Sequence, residues 1–393
     1  MPPMATRSPF ADDHDALASA VDALCGRFDD NYWMRCEREG AFPHEFYGAI
    51  AEAGWLGIAM PEAYGGAGLG ISEAAILMRS IAESGAGMSG ASAVHMNIFG
   101  LEPVVAFGTE EQKHRFLPPL IAGEERACFA VTEPDAGLDT SRITTRAERR
   151  GDTYLISGSK IWISTAQVAD RMLVLARTSA RGDDASPTDG MSLFYTPLNP
   201  EHVEIREIPK MGRQAVDSNM LFIRDLPVPA DDLIGEEGAG FRQLLRSLNP
   251  ERILIAAEAV GLGRAALRKA AEYAGSRIVF GRSIGKNQGV QHPLARSWME
   301  LEAANLMVMR AASLYDAGEP AGLEANSAKY LAGEAAFSAC EAAVMTHGGM
   351  GYASEFHVER YLRESLIPRI APVSPQMILN FVAEKALGLP RSY

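Results

Sequence analysis

Over residues 12–123 apolar side chains recur at helical spacing, as in Leu17, Val21 and Leu24 and again in Ala74, Leu77, Met78 and Ile81. Breaks at Pro43, Gly54 and residues 61–70 divide this stretch into several helices. Over residues 127–234 the texture changes to short β-rich runs, CFAVT, TYLISG, MLVLAR, MSLFYT, VEIREI and NMLFIRD, separated by Gly, Asp, Ser and Pro. After Gly235 the helical period returns in long Ala-rich stretches at 252–274, 294–316 and 323–346. Within them SWMELEAANLMVMRAASLYDAG is apolar over more than one face, which predicts burial between helices or between subunits. Helices, then strands, then helices exclude a doubly wound sheet, which needs strict alternation. The expected organisation is α+β and multidomain: an all-α unit over residues 1–126, a β unit over 127–235 and a helical unit over 236–393. The polar stretch at 179–190 is expected to be a mobile turn between strands.

Composition narrows the function classes. A chain of 393 residues with 47% hydrophobic and 22% charged residues is ordinary globular protein, long enough for two or three packed units. A net charge of −13 argues against nucleic acid and anionic lipid as partners. The longest uncharged run, residues 84–101, is crowded with Gly and Ser and carries His95 and Asn97, so no membrane insertion is expected. The first residues, MPPMATRSPFADDHD, lack an apolar leader segment and carry acids that a transit peptide avoids, and a cytoplasmic location is expected. Cys25, Cys36, Cys128 and Cys340 lie far apart with no paired spacing and are expected to be reduced and mostly buried. His95, His292 and His347 have no metal spacing either; packing or surface roles, and no metal, are expected.

Three glycine clusters carry the chemistry argument. YGGAGLG at 64–70 follows no β run and has its glycines out of dinucleotide register, so it reads as a turn between helices. THGGMGY at 346–352 follows a long helix and is either a helix cap or a place where backbone approaches a cofactor phosphate. The third lies in FAVTEPDAGLDTS at 129–141, followed by GSKIWISTA at 158–166. With PEAYGGAGLG, GTEEQKHRFLPPLIAGE, IGEEGAGF, RIVFGRSIGKNQGVQ and HGGMGY in the same order, the chain resembles the acyl-CoA dehydrogenase family over nearly its whole length. The resemblance implies a helical N-terminal domain, a central β-barrel-like domain and a C-terminal four-helix bundle. It also implies FAD, an acyl-CoA substrate drawn from fatty-acid or branched-chain catabolism, a homotetramer, and electron-transfer flavoprotein or a similar acceptor.

By the resemblance, Phe129, Val131 and Thr132 lie along the flavin ring, and Trp162 and Ser164 cover its other face and reach N5. Arg277, Phe280 and Gln288 match residues that grip the FAD of a neighbouring subunit, while Gly348, Gly349, Ser374 and Gln376 match its adenosine side. Leu138 stands where relatives place a serine near the pyrophosphate, Met345 where a glutamine is usual, and Asp135 where glycine is usual. Many relatives carry their catalytic Glu in a segment that here reads IAPVSPQ, at the position of Pro372 or Ala371. Proline has no N–H for the thioester carbonyl, so a shifted register or a substitute donor is expected there. In the isovaleryl-CoA and long-chain branch the Glu precedes an Arg on another helix, and Glu251 and Arg252 of LNPERILIAAEAVGLG match that pair. Read from the residues alone, Asn249 is a helix N-cap, Pro250 its first residue and Glu251 a first-turn carboxylate favoured by the helix dipole. With the resemblance, Glu251 is expected to be the base, with Arg252, Asn249, Ala371 and Pro372 beside the substrate. A flavin oxygenase or oxidase on the same fold, or a non-catalytic flavin binder, are the rival expectations.

Overall fold

Helices α1 (Asp12–Cys25), α2 (Asp30–Glu39), α3 (His44–Glu52), α4 (Ile71–Ile81), α5 (Gly87–Phe99), α6 (Glu102–Phe107) and α7 (Glu110–Ile121) form the first unit of a computed structural model that describes residues 12–179 and 186–392. Local chemistry sets their ends. Asp29 accepts the Tyr32 N–H at 2.9 Å to start α2, and Gly40 in the left-handed region stops it. Thr109 and Gln112 exchange bonds in a capping box that starts α7. YGGAGLG is indeed an interhelical turn: Gly65 and Gly68 have φ of 93° and 63°, and a Cβ on Gly66 would fall 2.1 Å from the Met60 carbonyl oxygen. The mobile turn expected at 179–190 falls, for residues 180–185, outside the described residues.

The strands are β1 (Ala127–Ala130), β2 (Arg146–Arg150), β3 (Thr153–Ser164), β4 (Arg171–Arg177), β5 (Met191–Pro197), β6 (Val203–Glu207), β7 (Ser218–Pro229) and β8 (Leu233–Ile234). They make one sheet in the order β6-β7-β3-β2-β4-β5-β8, with β1 parallel to β4. Apolar runs mark strands buried on both sides. In β4, Leu173 and Leu175 face a core shared with α7 and Val104 of α6, while Met172, Val174 and Ala176 face the core between the strands.

The last unit is built on α8 (Gly240–Ser276), followed by the hairpin β9 (Ile278–Val279) and β10 (Arg282–Ser283), α9 (Gln288–Asp316), α10 (Gly322–His347), α11 (Val358–Glu364), α12 (Ile367–Ile370) and α13 (Pro375–Leu387). Here the structure corrects an expectation. Asn249 is not an N-cap and Pro250 does not open a helix; both lie inside α8, which starts at Gly240. Gly240, Gln243, Leu244, Ser247 and Pro250 bury one face at helical spacing, and that packing outweighs the single backbone bond that Pro250 removes. Gly240 lies so close to β5 that a Cβ would sit 2.6 Å from Ser192 backbone.

Helix α8 is the spine of the molecule, packed on α4, α5, α9 and α10, while α13 lies on α10 as the fourth long element of the bundle. Asp316 at the end of α9 accepts the Ile71 and Ser72 N–H groups at 2.7 and 2.9 Å, capping α4 from another domain. The apolar stretch of α9 buries Leu301, Ala304, Val308 and Ala312 within the chain but leaves Trp298, Met299 and Leu306 exposed. All four cysteines are buried and free. Among the described residues, no helix is long and apolar enough to cross a membrane and no cluster of side chains could hold a metal ion.

Candidate active site

The segments 129–132 and 158–166 meet where β1 packs on β3 and on α5, and α5 in turn packs on α8. The Thr132 hydroxyl donates to the Ile161 carbonyl at 2.6 Å, and the Ile161 N–H donates to the Thr132 carbonyl at 3.0 Å, so the stretch 129–132 is stitched to the strand carrying Trp162 and Ser164. Committed to Ile161, the Thr132 hydroxyl keeps only its acceptor capacity for a ligand. Beneath this stitch, Lys160 donates to Glu133 at 3.0 Å and to the Val131 and Leu175 carbonyls at 2.9 and 2.8 Å.

Trp162 sits at a register shift in the β3–β7 ladder with φ of 61°. Such a bulge re-aims a side chain. The indole is 58% exposed although Lys160 and Ile163 beside it are buried, which leaves a flat apolar wall open. Ser164 accepts from Arg213 at 3.1 Å, and the same guanidinium reaches Ser218 at 3.1 Å and Ser92 at 3.0 Å, with its Nε unpartnered. An open aromatic wall beside a buried cation bonded only to hydroxyls suits a planar, electron-accepting group that gains negative charge on reduction, and these residues fit FAD.

On the other side of β1, Phe129 lies against Phe99, with ring centroids 5.7 Å apart, and Phe99 lies against His95 at 4.5 Å. His95 is bonded to Glu258 of α8. His95 is buried, as the expected packing role requires, and it is in addition bonded to a buried carboxyl. Glu251 stands two turns before Glu258 on α8, near the His95 imidazole. Burial pushes its carboxyl up to about 7, against the opposing pull of His95 and Arg252. The dipole account of Glu251 fails, because eleven residues of α8 precede it.

Arg252 donates to Asn249 at 3.0 Å, and its Nε is buried without a partner. Lys329 of α10, whose ammonium is pushed down to about 8 by burial and then by Arg252, donates to the Val373 carbonyl at 2.6 Å. That bond ties the segment with Ala371 and Pro372 to the neighbourhood of Arg252. No carboxylate lies in this segment. A cavity of about 600 Å³ adjoins the region, and Ile98, Phe99, Val105 and Pro250 are among its lining residues, with Glu102 and Tyr315.

The remaining candidates lie elsewhere in the chain. Arg277 follows the last turn of α8, ~39 Å from Glu251 at 1.5 Å per residue. Phe280 is fully exposed at the hairpin tip, and Gln288 opens α9 on the surface. Gly348 closes α10 with φ of 60°, and neither it nor Gly349 has a neighbour that a Cβ would meet. Ser374 caps α13 by accepting the Met377 N–H at 3.4 Å, with Gln376 exposed beside it. Leu138 and Met345 are exposed, and Asp135 lies in the exposed turn closed by Glu133 and Ala136. Of the residues that the fold brings here, Glu258, Arg213 and Lys329 are not singled out by sequence, and for His95 a packing or surface role is expected. Two of them had a signal, as His95 and Glu258 are lone ionisable residues in otherwise apolar helical runs.

The acyl-CoA dehydrogenase N-terminal, middle and C-terminal domain descriptions match residues 11–124, 128–226 and 238–387. The chain belongs to the acyl-CoA dehydrogenase family. It is 38% identical over 395 residues to acyl-CoA dehydrogenase FadE12 of Mycobacterium tuberculosis, covering 98% of each. The structure of butyryl-CoA dehydrogenase from Megasphaera elsdenii superposes with a TM-score of 0.91 at 29% identity, covering 98% of this chain and 100% of that one. The FAD complex of PigA superposes equally well, with a TM-score of 0.91 at 25% identity, covering 98% of this chain and 99% of that one. The protein is therefore an FAD-dependent oxidoreductase of the acyl-CoA dehydrogenase class, with the helical, sheet and helical domains expected from its sequence.

Proposed function

We propose that this acyl-CoA dehydrogenase converts an acyl-CoA thioester to the trans-2-enoyl-CoA with Glu251 as the base. The observation that carries the reading is a carboxyl pushed up to about 7 inside α8, flanked by Arg252 and His95 and linked through Phe99 to Phe129. FAD supplies the acceptor for the β-hydrogen, which leaves as hydride. Glu251 takes the α-proton, and substrate binding, by expelling water, keeps the base poised near the working pH. Arg252 Nε, buried and unpartnered, is the donor available to the thioester carbonyl in place of the N–H that Pro372 lacks. Phe129, Val131, Thr132, Trp162 and Ser164 hold the ring, while Ser374, Gln376, Gly348 and Gly349 hold the adenosine side.

The base must be ionised to act, so the rate of flavin reduction at limiting substrate should rise with pH and level off above a limb near the Glu251 value of about 7. Stopped-flow bleaching of the flavin across pH, without oxygen, measures it. A flat profile removes Glu251 from the role.

Within this reading three units, 1–126, 127–235 and 236–393, assemble as a cytoplasmic homotetramer that passes electrons to electron-transfer flavoprotein or a similar acceptor. What supports the assembly is the open apolar face of α9 and the fully exposed Phe280 beside Arg277, distant from the base of their own chain. Arg277→Ala should lower FAD content after gel filtration, most strongly at low salt and less so as salt screens the wild-type contact, because a forked cation on pyrophosphate is lost. Unchanged FAD content at every salt concentration rules out the contact across the interface.

A further inference from the structure

His95 and Glu258 are hydrogen-bonded at the contact between α5 and α8, with only 9% and 1% of each residue exposed. The pair is rigidly mounted. One turn before His95, Ser92 is held by Arg213; two residues after it, Asn97 donates to the Tyr47 hydroxyl at 2.6 Å; the Phe99 ring covers the imidazole. Glu258 and Glu251 are seven residues apart and so share one face of α8. An apolar core residue would pack at least as well in either place, and a buried ion pair is weak evidence for stability. Its position between the Phe99–Phe129 contact and the base points to a role in the chemistry.

We propose that the His95–Glu258 pair is a positioning device for Glu251: Glu258 holds the imidazole as a cation, and that cation keeps the base a carboxylate between turnovers. The proposal rests on Glu251 being the base. The charges facing His95 are Glu251 and Glu258 from α8 and Arg213 from the segment before β7. Facing Glu251 are His95, its neighbour Arg252 and Glu258, and Arg252 in turn acts on Lys329 of α10. His95 is pushed up by Glu258 first and then by Glu251, against burial and Arg213, which is the direction an imidazolium requires. Glu258 works on the base in two opposed ways: its charge disfavours a second carboxylate, while through His95 it supplies the compensating cation. Replacing His95 alone removes the cation shared by both carboxylates, leaving Arg252 beside Glu251 and Arg213 beside Glu258, and so reads the device most directly.

The test compares His95→Gln with wild-type holoenzyme by anaerobic flavin bleaching across pH, beside Glu251→Gln. His95→Gln should move the rising limb to higher pH by about one unit or more. Its high-pH plateau should stay within about threefold of wild type with FAD content unchanged. A limb that stays in place, or a lowered plateau without a shift, overturns the proposal and returns His95 to packing. Loss of the Glu251 role itself would show separately, as a Glu251→Gln variant that still bleaches at the wild-type rate. Should His95→Gln not load FAD, nitrogen NMR of the His95 imidazole in the wild-type holoenzyme decides. A doubly protonated ring at about pH 7 that becomes neutral in Glu258→Gln supports the device, and a neutral ring in the wild type overturns it.

Discussion

Glu251→Gln is expected to retain FAD and to slow its reduction by an acyl-CoA by about 10²–10⁴-fold, or about 3–5 kcal/mol of barrier. The amide keeps the size and packing of the side chain but cannot accept the α-proton. A first-turn carboxylate would have behaved differently, costing ~0.3–1 kcal/mol of stability through the helix dipole and leaving the chemistry alone. That alternative is closed by the position of Glu251 well inside α8. The same variant has a stability signature of opposite sign. Because burial raises the folded-state value from 4.5 to about 7, the fold favours the neutral acid, and stability present below about 4.5 is lost as pH rises through about 7. A permanently neutral Gln removes that slope, so Glu251→Gln should be at least as stable as wild type at about pH 8. Slower bleaching with equal or greater thermal stability is the expected combination. A decrease of less than about tenfold with FAD intact would move the base elsewhere.

Most of the architecture was legible because each domain has its own period. Continuous apolar runs such as MLVLAR in β4 bury both sides of a strand, and Ala-rich 3.6-residue patterns mark α9 and α10. Strand β2, RAERR, was not legible: only Ala147 is buried, so nothing in its hydrophobicity separates it from a loop, and its place is set by pairing with β3. The Asn249–Pro250 pair carries the local signature of a helix start and still lies inside a helix, because burial of Leu244, Ser247 and Pro250 is a tertiary effect that local rules do not see. The site divides the same way. Glu251 and the residues proposed to line the flavin lie in contiguous motifs, whereas Arg213 and Lys329 are brought beside them only by the fold. The outward turn of Trp162 depends on a bulge whose cause is the register of β7.

Lys160→Met should destabilise the protein by about 3–5 kcal/mol and lower its FAD content, the largest stability effect expected of a single substitution here. Lys160 is fully buried, and its ammonium satisfies Glu133 and the carbonyls of Val131 and Leu175. Glu133 in turn accepts the N–H and hydroxyl of Thr144 at 2.7 and 2.9 Å and the N–H of Thr145 at 3.0 Å. Val131 and Glu133 flank Thr132, and Lys160 lies two residues before Trp162, so one network fixes both segments expected to hold the ring. Methionine fills much of the volume but takes the paired cation from a buried carboxylate, which keeps its three Thr144 and Thr145 donors, and the ammonium donor from two carbonyls, each at a desolvation cost. The pH dependence separates charge from packing. In wild type Lys160 and the three donors hold the Glu133 carboxyl down at about 2, so its stabilisation is present above 4.5 and lost as pH falls toward about 2. Without the cation, the buried carboxyl shifts upward and the fold favours its neutral form, so Lys160→Met loses stability as pH rises. Because burial pushes the Lys160 ammonium down to about 8, chemical denaturation should show a gap to wild type that is widest at about pH 7 and narrows toward about pH 5. Lys160→Met combined with Glu133→Gln should recover about 0.5–3 kcal/mol of the loss, since the stranded charge is gone. A constant gap of under about 1 kcal/mol across that range would make the pair a passive filler of the core.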